Sequence, residues 1–83
     1  MEDCVEAHGG LEGRYANYFK VGHNGYEFVL DFGQLFQESD SPHLHTRIVT
    51  SPSYAKALWE TLAESVEQFE SRYGPIPDLG GDL

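Results

Sequence analysis

One apolar stripe at helical spacing dominates the second half of this 83-residue chain. Its members recur at steps of three and four residues, the spacing that lines one side of a helix. They are Ala55, Leu58, Trp59, Leu62, Val66, Phe69 and Tyr73. Ser51-Pro52 is typical of a helix start, with serine as N-cap and proline in the first turn, and Gly74-Pro75 is typical of a stop. The pattern predicts a single long helix over 52–73.

Two apolar runs that meet at Asn24-Gly25 predict a β-hairpin, with strands near 14–22 and 26–33. Asn-Gly is the strongest two-residue signal for a type I′ turn, in which both central residues take positive φ. Pairing across that turn gathers one apolar face, made of Phe19, Val21, Phe28, Leu30 and Phe32. The opposite face then carries Tyr18, Lys20, Val29 and Asp31, with Glu27 beside them. A slip of one residue would mix the two faces.

A β-branched segment at 45–50 predicts a third strand, after a loop rich in serine and aspartate. The fold class that follows is α+β. We expect a three-stranded antiparallel sheet in β-β-β-α order, with the helix packed on the apolar face and Trp59 and Leu62 central in the core. We assign 14–76 to this domain, 1–13 to a flexible acidic arm and 77–83 to a flexible tail.

Size and charge limit the classes of function. A domain this small buries only about 60% of its unfolded surface, and a single cysteine allows no internal disulfide, so we expect a homodimer. The formal charge of -9 argues against nucleic-acid and anionic-membrane binding, both of which need clustered basic residues. No segment is apolar enough to span a bilayer and the N-terminus lacks a secretory signal pattern, so we expect a cytoplasmic protein.

Few residues suggest chemistry. Asp31 lies inside an apolar strand, where a carboxylate needs a partner, and Tyr18, Lys20 or Arg47 could supply it. His43 and His45 form an H-x-H pair, a weak metal signal without further ligands. Cys4 has only His8 nearby and no rigid third group. We therefore predict no catalytic residues, no cofactor and no metal site.

The chain also resembles a known family. The segments that carry the resemblance are Tyr15-Ala16-Asn17, Val21-x-His23, Glu27 to Phe32, Arg47-Ile48-Val49-x-Ser51-Pro52, Ala55-Lys56 and Tyr73-Gly74-x-Ile76. Together they are similar to the small prokaryotic family called domain of unknown function 3467, which has no assigned activity. The element order also resembles a shortened subunit of the SecB export chaperone, but element order alone does not transfer function.

These observations favour a non-catalytic, oligomeric protein-binding or adaptor module. Its expected interface lies on the face with Tyr18, Lys20, Glu27, Val29 and Asp31. One alternative is a chaperone-like binder of extended polypeptide. A weaker one is a metal-binding or enzymatic site around His23, Asp31 and His45. A DNA-binding regulator comes last, because the domain has few basic residues.

Overall fold

The computed structural model describes residues 10–38 and 41–79. Three strands precede one helix: β1 (Tyr18–His23), β2 (Phe28–Gln34), β3 (His43–Thr50) and α1 (Pro52–Tyr73). The strands form a single antiparallel sheet in the order β1-β2-β3, with β2 in the middle. The predicted α+β class and element order are therefore confirmed. Of the predicted arm and tail, residues 1–9 and 80–83 lie outside the described residues.

The helix has the bounds that the sequence predicts, and both of its ends are capped. Ser51 is the N-cap: its Oγ accepts a hydrogen bond from the backbone N–H of Tyr54 at 3.2 Å, and Pro52 follows it in the first turn. Gly74 closes the other end with φ 99°, and its N–H donates to the carbonyl of Glu70 at 2.9 Å. Glycine takes this left-handed conformation without steric cost, which explains the stop at that residue.

The hairpin turn differs from the predicted type I′ turn on Asn24-Gly25. Gly25 does not have positive φ, and the backbone N–H of Asn24 bonds the carbonyl of Glu27 at 3.0 Å, so Gly25 and Tyr26 are the central residues. The side chain of Asn24 organises the turn instead. Its Oδ1 accepts from the backbone N–H groups of Tyr26 and Glu27, at 2.7 and 3.0 Å. This is an Asx-type turn, a conformation that asparagine also favours.

The new turn shifts the strand pairing by two residues but leaves the two faces as predicted. Phe28 stacks on His23 with 5.2 Å between ring centroids, and Phe32 meets Phe19 edge to face at 5.9 Å. The type I′ turn would have placed Tyr26 opposite His23 and Leu30 opposite Phe19. Side chains alternate with a period of two along a strand, so a two-residue shift returns every residue to its own face. β1 also begins four residues later than predicted, at Tyr18.

The predicted core is not present in the single chain. Among the described residues no apolar side chain is buried, and Trp59 and Leu62 remain 66% and 58% exposed. The prediction that these two residues are central in a buried core is therefore wrong for one copy of the chain. Each of the two compact units, Met1–Gly22 with Val29–Ile48 and His23–Phe28 with Val49–Leu83, lacks a buried apolar residue within its described part.

Candidate functional site

The best-defined polar contact joins Asp31 on β2 to Arg47 on β3. The guanidinium donates two parallel hydrogen bonds, Nε to Oδ1 at 2.8 Å and Nη2 to Oδ2 at 2.9 Å. Asp31 is the sole buried polar residue of the described chain, whereas the Arg47 side chain is 68% exposed. Of the three partners that the sequence left open for Asp31, the structure selects Arg47. A planar fork of this kind suits a carboxylate better than a lysine would.

This contact also determines how Asp31 titrates. The hydrogen bonds from Arg47 hold the pKa of Asp31 below its ordinary value, and the positive charges of Arg47 and Lys20 act in the same direction. Desolvation opposes this shift without overcoming it. The hydrogen bonds to Asp31, together with its negative charge, raise the pKa of Arg47. Asp31 is therefore a fixed anion at neutral pH with both carboxylate oxygens occupied, which does not suit a proton-transfer group.

Gly33 marks a close approach between β2 and β3. A Cβ added at this glycine would lie 2.5 Å from the carbonyl oxygen of His43 and 2.9 Å from the Cα of Leu44. Both are backbone atoms, which cannot move aside as the end of a side chain can. The sequence around Gly33 gives no signal of this close approach, because the approach depends on how β3 aligns with β2.

Asn17 extends the pairing beyond the start of β1. Its backbone N–H donates to the carbonyl of Gly33 at 3.0 Å. Its side-chain amide then donates to the carbonyl of Leu35 at 3.3 Å and accepts from the Leu35 N–H at 2.8 Å. The side chain thus takes the place of a backbone partner for Leu35. Asn17 belongs to the segments that resemble the family, and that was its one signal in the sequence.

His45 is held by two neighbours. Its Nε2 lies 3.0 Å from the carbonyl oxygen of Tyr15, and its Nδ1 lies 2.7 Å from Oγ1 of Thr46. A carbonyl oxygen can only accept, so Nε2 carries a proton and donates it to Tyr15, while Nδ1 and the Thr46 hydroxyl share the second hydrogen bond. Beside the ring lies an open depression of about 540 Å³. It is lined by Glu12, Arg14, Ala16, Phe32, His45 and Thr46.

The candidate chemical residues do not assemble into one site. His23 stacks on Phe28, Asp31 is paired with Arg47, and His45 is bonded to Tyr15 and Thr46. His43 is exposed at the start of β3. Within residues 10–38 and 41–79 no three histidine, cysteine or acidic side chains lie close enough to hold a metal ion. Cys4 and His8 lie outside the described residues.

The predicted interface residues occupy mixed surroundings. Lys20 and Glu27 are exposed, Tyr18 and Val29 are half-buried, and Asp31 is buried against Arg47. Four of the five lie on β1 and β2, and Glu27 lies in the turn between those strands. Their role as a binding face stays a prediction.

A continuous apolar surface lies along the helix. Six of the seven stripe residues are exposed, from 40% for Val66 to 67% for Tyr73. Their exposed area is roughly 700 Å² when estimated from typical side-chain areas. This is close to the roughly 800 Å² that one partner contributes to a standard protein interface. On the sheet, Phe19, Val21 and Ile48 are exposed as well.

Across the described ranges, no helix combines the length and the apolar character that crossing a lipid bilayer requires.

Comparison with known proteins identifies one relationship. The family model described as "Protein of unknown function (DUF3467)" matches residues 6–78, which is most of the chain. No curated protein and no solved structure matches. The matched range includes all three strands, the helix and the Asp31–Arg47 pair. The chain therefore belongs to the DUF3467 family of proteins of unknown function.

Proposed function

We propose that this protein is a non-catalytic protein-binding module that works as a homodimer in the cytoplasm. One observation carries the proposal: the apolar side chains that should form a core are exposed, foremost Trp59 and Leu62 on the helix. Exposed apolar area of this extent on a soluble protein is typical of an interaction surface. A small chain with no buried apolar residue in its described part also needs a partner to stabilise it.

The polar groups support a binding role over catalysis. Among the described residues one carboxylate is buried, that of Asp31, and it uses both oxygens to bind Arg47; both ring nitrogens of His45 also have partners. A general acid or base needs a free position facing a substrate. These side chains instead join strands and neighbouring segments to each other. A cytoplasmic location fits a chain with a single cysteine, because disulfide-stabilised small domains belong to oxidising compartments.

The dimer is tested by sedimentation velocity across micromolar concentrations. We expect a species of twice the 9.3 kDa chain mass. Leu62→Glu places a charge in the middle of the exposed stripe and should shift the equilibrium to monomer. Glu64→Gln, on the opposite side of the same helix, should leave the dimer intact. A native protein that stays at 9.3 kDa throughout the range would contradict the proposed dimer.

The protein-binding role needs a separate test. We propose that a protein partner contacts the face with Tyr18, Lys20, Glu27, Val29 and Asp31. Purified protein would be immobilised and exposed to an extract of its source cells, and the retained proteins compared with those held by Lys20→Glu. Arg72→Glu makes the same charge change on α1 and is the matched control. A retained protein should be lost with the first variant and kept with the second. Equal retention by both would argue against this face.

A chaperone-like binder of extended polypeptide is the second candidate. The strand order leaves β3 at an edge of the sheet, and its Leu44, Ile48 and Val49 are exposed. Extended peptides can add to such an edge by backbone hydrogen bonding. Fluorescence anisotropy would compare a labelled, permanently unfolded polypeptide with the same polypeptide folded. This candidate requires tight binding of the unfolded form only, and equal affinities would exclude it.

A further inference from the structure

From the stripe on α1 we infer that two copies of the chain pair through their helices, antiparallel and with the two-fold axis at residue 64. This inference rests on the proposed dimer and adds its surface and geometry. The pairing seam consists of Ala55, Trp59, Leu62, Val66, Phe69 and Tyr73. These residues are separated by steps of 4, 3, 4, 3 and 4, the alternation of a coiled-coil core. The seam reads the same from either end, because each member has a counterpart at equal distance from residue 64.

The counterparts in this seam are complementary in size. Antiparallel pairing places Ala55 against Tyr73 of the partner subunit, Trp59 against the partner's Phe69 and Leu62 against the partner's Val66. The smallest member meets one of the largest, Leu62 meets an aliphatic side chain of similar size, and Trp59 meets a second aromatic ring. Parallel pairing in register would match each residue with itself. It would leave a gap between two alanines and crowd two tyrosines, which is costly in a packed layer.

The charges that flank the seam favour the same arrangement. Lys56 and Glu70 each follow a core position by one residue, where the two helices of a coiled coil exchange ion pairs. In the antiparallel dimer Lys56 lies beside Glu70 of the partner subunit, and the two-fold axis repeats the pair. The other acids, Glu60, Glu64 and Glu67, occupy positions that point away from the seam. The helix therefore keeps its negative charge away from the surface that self-pairing would cover.

The exposed area and the length of the seam also fit. From Ala55 to Tyr73 the seam is about 27 Å long at 1.5 Å per residue. Each member except Ala55 is at least 40% exposed in the single chain. Their combined area of roughly 600 Å² from each copy gives a dimer interface at the lower end of the standard size range.

Distances between spin labels on the two copies test the geometry. With Cys4 replaced by serine, a nitroxide would be attached through Ser53→Cys or Glu64→Cys, both on the outer side of the paired helices. Antiparallel pairing predicts about 20 Å between the central labels and about 40 Å between the Ser53 labels, because the latter are displaced by about 33 Å along the axis. Equal distances at the two sites would mean parallel helices and would overturn the inference.

Charge exchange supplies a second, independent measurement. Lys56→Glu places like charges together and should raise the Kd of the dimer roughly fivefold. Adding Glu70→Lys to this variant should return the Kd to the native value. Glu67→Lys makes the same charge change as Glu70→Lys on the outer side of the helix and is its control. A dimer that shows neither the distances nor the rescue would refute helix pairing and leave the proposed function standing. A protein that is monomeric by sedimentation would refute both.

Discussion

Gly33 lies where the backbones of β2 and β3 come closest, and no side chain has room there. The clash that an added Cβ would make involves the backbone of His43 and Leu44, so relief requires the strands to separate. Asp31 and Arg47 join the same two strands through two parallel hydrogen bonds. Both features concern the middle strand, on which the whole sheet depends.

We expect Gly33→Ala to destabilise the protein by about 1–3 kcal/mol, the usual cost of overpacking. Gly22→Ala is the matched control. That glycine is exposed on β1, and nothing lies within 4 Å of the Cβ it would gain, so its effect should stay within about 0.5 kcal/mol. Urea denaturation of the two variants measures the difference. Equal stabilities would mean that the close approach is absent in solution.

The Asp31–Arg47 pair predicts a stability that depends on acid pH. The folded-state pKa of Asp31 lies below the unfolded value of about 3.9, so the contribution of the pair is complete above that value. It is lost as the pH falls through the lower folded pKa. The free energy of unfolding, measured with urea at a series of pH values, should fall more steeply for the native protein than for the double variant Asp31→Asn, Arg47→Gln. Parallel curves for the two proteins would contradict this prediction.

The structural role of some single residues can be predicted from the neighbouring sequence, and that of others cannot. Asp31 is conspicuous because a carboxylate interrupts an apolar strand, and the sequence limits its partner to Tyr18, Lys20 or Arg47. The choice among the three depends on strand alignment, which local sequence does not encode. The same reason hides Gly33 and Asn17, whose partners lie on other segments of the chain.

At the scale of elements, residues close to each end of the helix determine its bounds, whereas two alternative hydrogen-bonding patterns compete at the hairpin turn. The helix from Pro52 to Tyr73 matches its prediction because Ser51, Pro52 and Gly74 each act within a few residues of the terminus they define. The hairpin was located correctly, but its turn type was wrong. Asparagine followed by glycine favours a type I′ turn. The side-chain oxygen of asparagine can instead accept from the N–H groups two and three residues further on, and here it does so.

The Asx-type turn and a type I′ turn lead to opposite expectations for which of Asn24 and Gly25 matters more to stability. Asn24→Ala removes the acceptor for two backbone N–H groups and should cost about 1 kcal/mol. Gly25→Ala should be neutral or stabilising by up to about 1 kcal/mol, because Gly25 needs no positive φ and an added Cβ meets nothing within 4 Å. Thermal or urea unfolding of both variants gives the comparison. A larger loss from Gly25→Ala would restore the type I′ turn.

At the scale of the whole molecule, the sequence predicts which apolar residues share one face of each element. It does not predict which other surface packs against that face. The spacing of Leu58, Trp59 and Leu62 identifies a surface that must leave water, and the same spacing serves packing within a chain or between chains. Packing of the helix stripe on the sheet of the same chain is the simpler expectation from this pattern. The exposure of these residues shows that one copy leaves the surface open.

Under the proposed dimer, stability should depend on protein concentration. Each tenfold increase should add about 1.4 kcal/mol to the apparent free energy of unfolding and raise the melting temperature, since folding and association are coupled. Circular dichroism melts over a hundredfold range of concentration measure this effect. Glu64→Gln should keep the dependence and Leu62→Glu should lose it. A native melting temperature that does not change with concentration would count against coupled association.

The exposure of Trp59, Phe69 and Tyr73 also affects how quickly the protein is degraded in a cell. Quality-control proteases and holding chaperones select their clients by apolar side chains that folded proteins hide, so a copy with these rings uncovered resembles a damaged protein. Newly made chains would then survive according to how quickly they meet a partner. Abundance should rise more steeply than the rate of synthesis, and dilution at cell division should hasten turnover.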